Sequence, residues 1–146
     1  MAGKLTRLTL RALDSVATIL LHRDSGPQHL HTGRRGEEEA YFYLRNRGYV
    51  MIARNYRSPR SRSELDLVGW EGETLCFIEV KTRRTRDFMP AEAAVDAEKQ
   101  RDLSRVAREF LRKVKGAPAV RFDVVSVYFA GGRAEMELFK DAFRMG

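Results

Sequence analysis

Two kinds of hydrophobic pattern alternate along the chain. Leu103, Val106, Ala107, Phe110, Leu111 and Val114 recur at intervals of three and four, which places apolar side chains on one face of an α-helix. This predicts an amphipathic helix from about Asp96 to Lys115, ended by Gly116 and Pro118. The folded core is expected to begin near Gly33, with an earlier helix opened by the acids that follow. Glu37, Glu38 and Glu39 stand in its first turn, where acids suit the positive helix end. Ala40, Tyr41, Phe42 and Leu44 supply its apolar side, and Gly48 is its stop signal. Residues 49–57, rich in Tyr, Val and Ile, read as a strand. Residues 64–70 and 74–82 are strands around Glu71-Gly72-Glu73, an antiparallel hairpin with a tight turn. Residues 120–129 form the last β run. Strand, helix, strand implies a crossover connection, so 120–129 should lie parallel to 74–82. The order α-β-β-β-α-β defines the α/β class, with a mixed sheet flanked by helices.

Residues 1–32 stand apart as an N-terminal extension. Leu5, Leu8, Leu13, Val16, Ile19 and Leu20 recur at roughly helical spacing, and residues 24–33 read as a linker. The folded domain is therefore expected over residues 33–146. A chain of 146 residues has room for one ordinary domain. With Cys76 the sole cysteine, an intrachain disulfide and a cysteine-rich zinc cluster are excluded. Hydrophobic residues at 43% and charged residues at 32% suit a soluble globular protein. No run spans a bilayer or makes a signal h-region, so a cytoplasmic protein without membrane association is expected.

The hairpin carries the most informative charges. Side chains alternate faces along a strand, so Glu64 and Asp66 share one face, with Leu65 and Leu67 on the other. Glu79 and Lys81 likewise share a face, opposite Cys76, Ile78 and Val80. If Gly72-Glu73 is the loop, Asp66 lies across from Glu79 and Glu64 from Lys81. If Glu71-Gly72 is the loop, Glu64 faces Glu79. Either register groups all four charged residues, because a shift of two preserves the pleat. Two carboxylates about 5 Å apart repel by ~3 kcal/mol at an effective dielectric of 20. A divalent metal would offset that repulsion, and so would a salt-bridged, solvated face with Lys81 as counterion. The hairpin alone supports both readings equally.

Charge elsewhere tilts the balance. The chain holds 27 Lys and Arg against 20 Asp and Glu, a formal net charge of +7, which attracts polyanions. Arg54, Arg57, Arg60 and Arg62 precede the first hairpin strand, and Arg83, Arg84 and Arg86 follow the second. Both groups fall at the open end of the hairpin, near Asp66 and Lys81. Arginines that hold a phosphate backbone beside an acidic metal site are what phosphodiester cleavage requires. Arg101, Arg105, Arg108, Arg112 and Lys115 line the late helix opposite its apolar face. A solvated surface is the first reading there and a secondary contact to the DNA backbone the second. His22, His29 and His31 fall in or beside the linker, which leaves a His-based triad without a scaffold. There is no phosphate-binding or dinucleotide glycine loop, and Cys76 sits on the aliphatic face as a buried small residue.

These residues also form a recognisable series. It runs Gly33-Arg-Arg-Gly-Glu37 with Ala40, Asn55-Tyr56-Arg57, Glu64-Leu-Asp66-Leu, and Phe77-Ile-Glu79-Val-Lys81-Thr-Arg83. Pro90-Ala-Glu-Ala-Ala-Val-Asp96 with Lys99-Gln100 follows, then Arg121-Phe122-Asp123-Val124-Val125. Over about residues 33–130 the chain resembles the YraN-type family of uncharacterised bacterial proteins, in the restriction-endonuclease-like PD-(D/E)xK nuclease superfamily. The resemblance implies a restriction-endonuclease-like core. It implies Glu37, Asp66 and Glu79 as metal-binding carboxylates, Lys81 as the catalytic lysine, and Gln100 as a polar helix residue near the site. Leu65 stands where the superfamily motif has Pro, Ser63 where a glycine usually precedes Glu64, and Ser104 where some relatives carry Tyr.

The resulting expectation is a Mg²⁺- or Mn²⁺-dependent endonuclease acting on DNA in preference to RNA, with branched or structured forms as candidate substrates. Asp66, Glu79 and Lys81 are its catalytic residues, and Glu64 and Gln100 support them. A single site per chain makes a homodimer the natural assembly for cutting two strands. The alternatives are a nucleic-acid-binding module that keeps the fold without turnover, and a partner-binding protein that uses the N-terminal helix.

Overall fold

The β2–β3 hairpin sets the frame. In a computed structural model, which describes residues 28–83 and 95–146, β2 (Glu64–Glu71) and β3 (Thr74–Arg83) pair antiparallel from Glu71–Thr74 to Leu67–Ile78. This is the register in which Gly72 and Glu73 form the loop, and Gly72 takes φ +59° there, a backbone conformation that favours glycine. The strand β1 (Val50–Arg57) pairs antiparallel with β2. The strand β4 (Ala119–Ala130) pairs parallel with β3, as the crossover requires. A fifth strand, β5 (Arg133–Phe143), returns antiparallel to β4 and closes the sheet in the order β1-β2-β3-β4-β5. The order of elements is thus α-β-β-β-α-β-β, an α/β fold with a mixed sheet.

Among the described residues, one helix covers each face. Helix α1 (Gln28–Asn46) packs Ala40, Tyr41 and Leu44 against Leu67, Cys76, Ile78, Val125 and Val127. Helix α2 (Ala97–Leu111) packs Leu103, Val106 and Ala107 against Leu65, Val68, Phe77 and Phe122. Asp96 is the N-cap of α2, its side chain accepting from the Lys99 N–H at 2.8 Å, which satisfies one of the free amide groups of the first turn.

Three expectations need correction. First, α1 begins at Gln28, inside the span read as a linker, so Glu37 lies in mid-helix and the first turn holds no acid. Within α1, Gly36 is a contact glycine. A Cβ built there would run into Thr82 Oγ1, so glycine lets α1 approach the end of β3 without displacing that side chain. Second, Phe42 is exposed and packs edge-on against Tyr41 instead of joining the core. Third, Leu65 and Leu67 pack on opposite sides of the sheet, against the α2-side and α1-side clusters respectively. On β1, Ala53 and Tyr56 both join the α2 side despite their odd spacing, as do their partners Val68 and Leu65. Between them Asn55 takes φ +47°, which reverses the alternation on β1 opposite Asp66. The N-terminal helical spacing over residues 5–20 lies outside the described residues.

Candidate metal centre

The β2–β3 ladder stops after Leu67–Ile78. One residue further, Asp66 Oδ2 accepts a hydrogen bond from the Val80 backbone N–H at 2.8 Å. A side chain thus occupies a place that a strand carbonyl would fill in a regular ladder. That bond anchors the Asp66 carboxylate between the two strands, beside Glu79. Both acids are buried, with 8% and 7% of their surfaces exposed.

Glu37 from α1, Glu64 and Asp66 offer carboxylate oxygens within 4.8 Å of one another. Asn55 Nδ2 donates to Glu37 Oε2 at 2.9 Å and to Glu64 Oε1 at 3.5 Å. Arg57 Nε meets Glu64 Oε2 at 2.6 Å. Lys81 Nζ lies 3.5 Å from Glu79 Oε1, whereas Glu79 Oε2 is buried with no hydrogen-bond partner. The acid cluster nearest the geometry of a cation site is therefore Glu37, Glu64 and Asp66, with Glu79 adjoining Asp66.

The electrostatics follow from this crowding. Burial, and then the neighbouring Glu79 charge, push the Asp66 carboxyl up to about 8, against the opposing effect of the Val80 N–H. Burial also raises Glu37, which the Asn55 amide partly counters, and the Glu64 charge adds to the rise. Both acids resist ionisation because too little positive charge faces them. Cys76, on the α1 side of the sheet, is raised to about 12 by burial, so it stays a thiol.

The remaining residues of interest are dispersed around this centre. Arg54 stacks over the Tyr41 ring at 4.6 Å and acts on Glu37 through its charge. Arg60 and Arg62 are exposed on the β1–β2 loop. That loop is tied to α2 through a hydrogen bond from Ser58 Oγ to Glu109. Arg83 closes β3, and its Nε is buried without a hydrogen-bond partner. Arg84 and Arg86 lie outside the described residues. Gln100 Nε2 donates to the Val95 carbonyl at 2.8 Å, which fixes the entry to α2 and spends its amide on the backbone.

Two residues with structural weight carry no assigned part in the sequence reading. Asn55 orients Glu37 and Glu64, and its signal was the presence of an asparagine, tolerant of positive φ, inside a strand pattern. Asp123 is fully buried at a second charged cluster. It accepts from Arg121 at 2.7 and 2.8 Å, from Tyr49 Oη at 3.2 Å and from the Asp141 N–H at 3.0 Å. Arg121 continues to Glu71, which also meets Lys140 at 2.5 Å. Burial acts to raise Glu71, but those two cations hold it below the usual carboxylate range. Here the cations are supplied by the chain itself, in contrast to the acids around Asp66.

A mixed sheet with one helix on each face, and a buried acid cluster with a lysine at the open end of its central hairpin, defines an α/β protein with a candidate cation-binding centre. The sequence profile of the Uncharacterised protein family UPF0102 matches residues 36–127. The chain is 52% identical over 138 residues to a UPF0102 protein of Koribacter versatilis, covering 94% of each chain. It is 46% identical over 112 residues to one of Solibacter usitatus, covering 76% of this chain and 84% of the relative. It is 37% identical over 114 residues to one of Geobacter metallireducens, covering 77% and 92%. The chain belongs to the UPF0102, or YraN-type, family. Among the described residues, no helix is long and apolar enough to cross a membrane.

Proposed function

We propose that this protein is a Mg²⁺- or Mn²⁺-dependent nuclease that hydrolyses phosphodiester bonds in DNA, with branched or structured DNA as its candidate substrate. The observation that carries this reading is the buried Glu79 Oε2, which lacks any donor, beside an Asp66 whose ionisation that same burial and the Glu79 charge oppose. Buried acceptors of this kind normally have a partner, and clustered hard oxygens suit a divalent cation. Glu37, Asp66 and Glu79 would hold such an ion, with Glu79 reaching toward the Glu37, Glu64 and Asp66 oxygens that lie within 4.8 Å of one another. Glu64, already paired with Arg57, would stand as the fourth acid.

When bound, the cation supplies Lewis-acid polarisation of a phosphoryl oxygen and a more acidic water. The chain's own residues account for the rest. The Val80 N–H fixes the Asp66 carboxylate, and Asn55 fixes Glu37 and Glu64. Lys81, about one-third exposed, presents an ammonium that can orient a water and offset negative charge gathering on the phosphate. Arg54, Arg57, Arg60, Arg62 and Arg83, with Arg84 and Arg86, would hold the flanking backbone. Among the described residues, no element is shaped for base readout. Cutting both strands would call for two copies of the chain.

A second reading, a nucleic-acid-binding module without turnover, draws support from the Arg57–Glu64 and Lys81–Glu79 pairs, which partly neutralise the acids without a metal. A metal-titrated cleavage assay on linear, flapped and four-way DNA separates the two. Wild-type cutting that Lys81→Ala abolishes while binding persists supports the nuclease. Binding without cutting under Mg²⁺ or Mn²⁺ supports the module.

A further inference from the structure

The exposed face of α2 repeats one charge. Arg101, Arg105 and Arg108 on the helix, and Arg112, Lys113 and Lys115 just beyond it, are all exposed. From residue 101 to 112 the row runs roughly 16 Å at 1.5 Å per residue. That length spans about five phosphates of one duplex strand at 3.4 Å each. Acids do little to cancel it. Asp102 meets Arg105 at 3.5 Å, and Glu109 is engaged by Ser58. Among the described residues, Arg101, Arg108 and Arg112 have no carboxylate partner.

A charged row alone would be a solvated face. This one is continuous with the acid centre through named contacts. Ser58 joins the β1–β2 loop to Glu109 of α2. Tyr56 lies edge-on to Phe110 at 5.0 Å, and the Lys113 ammonium sits 5.0 Å over the Tyr56 ring. These contacts fasten the β1–β2 segment that carries Arg57, Arg60 and Arg62 to the C-terminal half of α2, and Arg57 in turn meets Glu64 in the acid cluster.

We propose that α2 and the β1–β2 loop form one track that binds the phosphate backbone of a DNA duplex and leads it to the acid centre. The track deepens the nuclease reading and rests on it for the nature of the ligand. Its binding, however, needs neither metal nor turnover. Each phosphate contact contributes about 0.9 to the slope of log affinity against log salt. Two contacts on the track should therefore be worth about 1.8.

The test is the affinity of a fluorescent 30-base-pair (~) DNA duplex, measured in EDTA across a salt series. The double variant Arg108→Gln/Arg112→Gln removes two charges from the track. Arg47→Gln/Arg133→Gln removes two exposed charges just past the end of α1 and at the start of β5. Gln keeps the helix propensity of Arg at Arg108. Arg112, Arg47 and Arg133 are exposed positions outside the helices, where a polar swap costs little. Both variants should therefore fold, and circular dichroism checks this. The track predicts a slope shallower by about two for the first pair and unchanged for the second. Equal losses in both pairs would reduce the row to a bulk-charge effect, and no loss in the first would overturn the proposal. A reduced slope in a protein that never cuts DNA would keep the track and reject the nuclease reading. Cutting with no change in slope would do the reverse.

Discussion

Asp66 Oδ2 and the Val80 backbone N–H, 2.8 Å apart, join β2 to β3 one residue past their last ladder pair. The bond fixes a carboxylate in a place where water cannot solvate it well, next to a second buried acid. Stability is lost in building this corner, and that loss should be measurable.

Asp66→Asn tests the loss. An asparagine carbonyl can still accept from Val80, while the buried charge disappears. Asp66 has its folded pKa raised, so the folded state holds its proton more tightly than the unfolded chain does. The stability this gives is complete below the unfolded value near 4. It declines as pH rises through the folded value near 8. Without divalent metal, the variant should exceed wild type at pH 8 by on the order of 1–3 kcal/mol, with a flatter Tm profile between pH 4 and 8. Thermal melts in EDTA across that range provide the check, and parallel profiles would contradict it.

Lys81 offers a split between binding and rate. Its ammonium lies 3.5 Å from Glu79, so Lys81→Ala removes the adjacent cation and leaves the acids in place. Cleavage should fall by about 10²–10⁴-fold, while divalent-cation affinity holds or rises. Single-turnover cleavage together with calorimetric metal titration distinguishes this from general damage, which would lower both.

Asn55 combines a backbone role with a side-chain role. Asn55→Ala places a Cβ-bearing residue without local hydrogen-bonding capacity at φ +47°, at a cost of about 1–2 kcal/mol. Asn55→Gly tolerates the backbone but still loses the amide that holds Glu37 and Glu64. Both variants should weaken metal binding, and only the alanine should lower Tm substantially. If glycine restored metal affinity, the amide would have no orienting role.

Gly36 and Thr82 should be coupled. Gly36→Ala drives a methyl into Thr82 Oγ1, and such overpacking typically costs about 1–3 kcal/mol. Adding Thr82→Ala removes the nearest atom and leaves a 3.3 Å approach to Cβ. The double-mutant cycle should recover about half or more of the loss. Additive losses would mean that α1 does not rest on β3 at this point.

Much of this was legible in the sequence for local reasons. Gly72 fixed the hairpin, the periodicity from Leu103 to Val114 fixed α2, and β-α-β order fixed the parallel β3–β4 pair. The strand β5 was missed because its pattern is weak. Ala134, Met136 and Leu138 alternate with exposed Arg133, Glu135 and Glu137, but the inward side chains are only half-buried at a sheet edge. The early start of α1 was hidden because Gly33 and the histidines before it read in sequence like a linker, although Gly33 lies inside the helix with open space around it. At the acid centre, alternation brought Asp66, Glu79 and Lys81 together, and Glu37 came from resemblance alone. What alternation could not supply was Asn55. A regular pleat assigns Leu65 and Leu67 to one face, and the positive φ that breaks the pleat depends on contacts with residues distant in sequence.

The most direct test of the central claim is a Mn²⁺ titration of the full chain followed by electron paramagnetic resonance, for wild type and for Asp66→Asn. The account predicts saturable binding by wild type and weakening by about tenfold or more in the variant, although the variant is the more stable protein in EDTA. Wild type that leaves Mn²⁺ free in solution, or a variant that binds it equally well, would contradict the account.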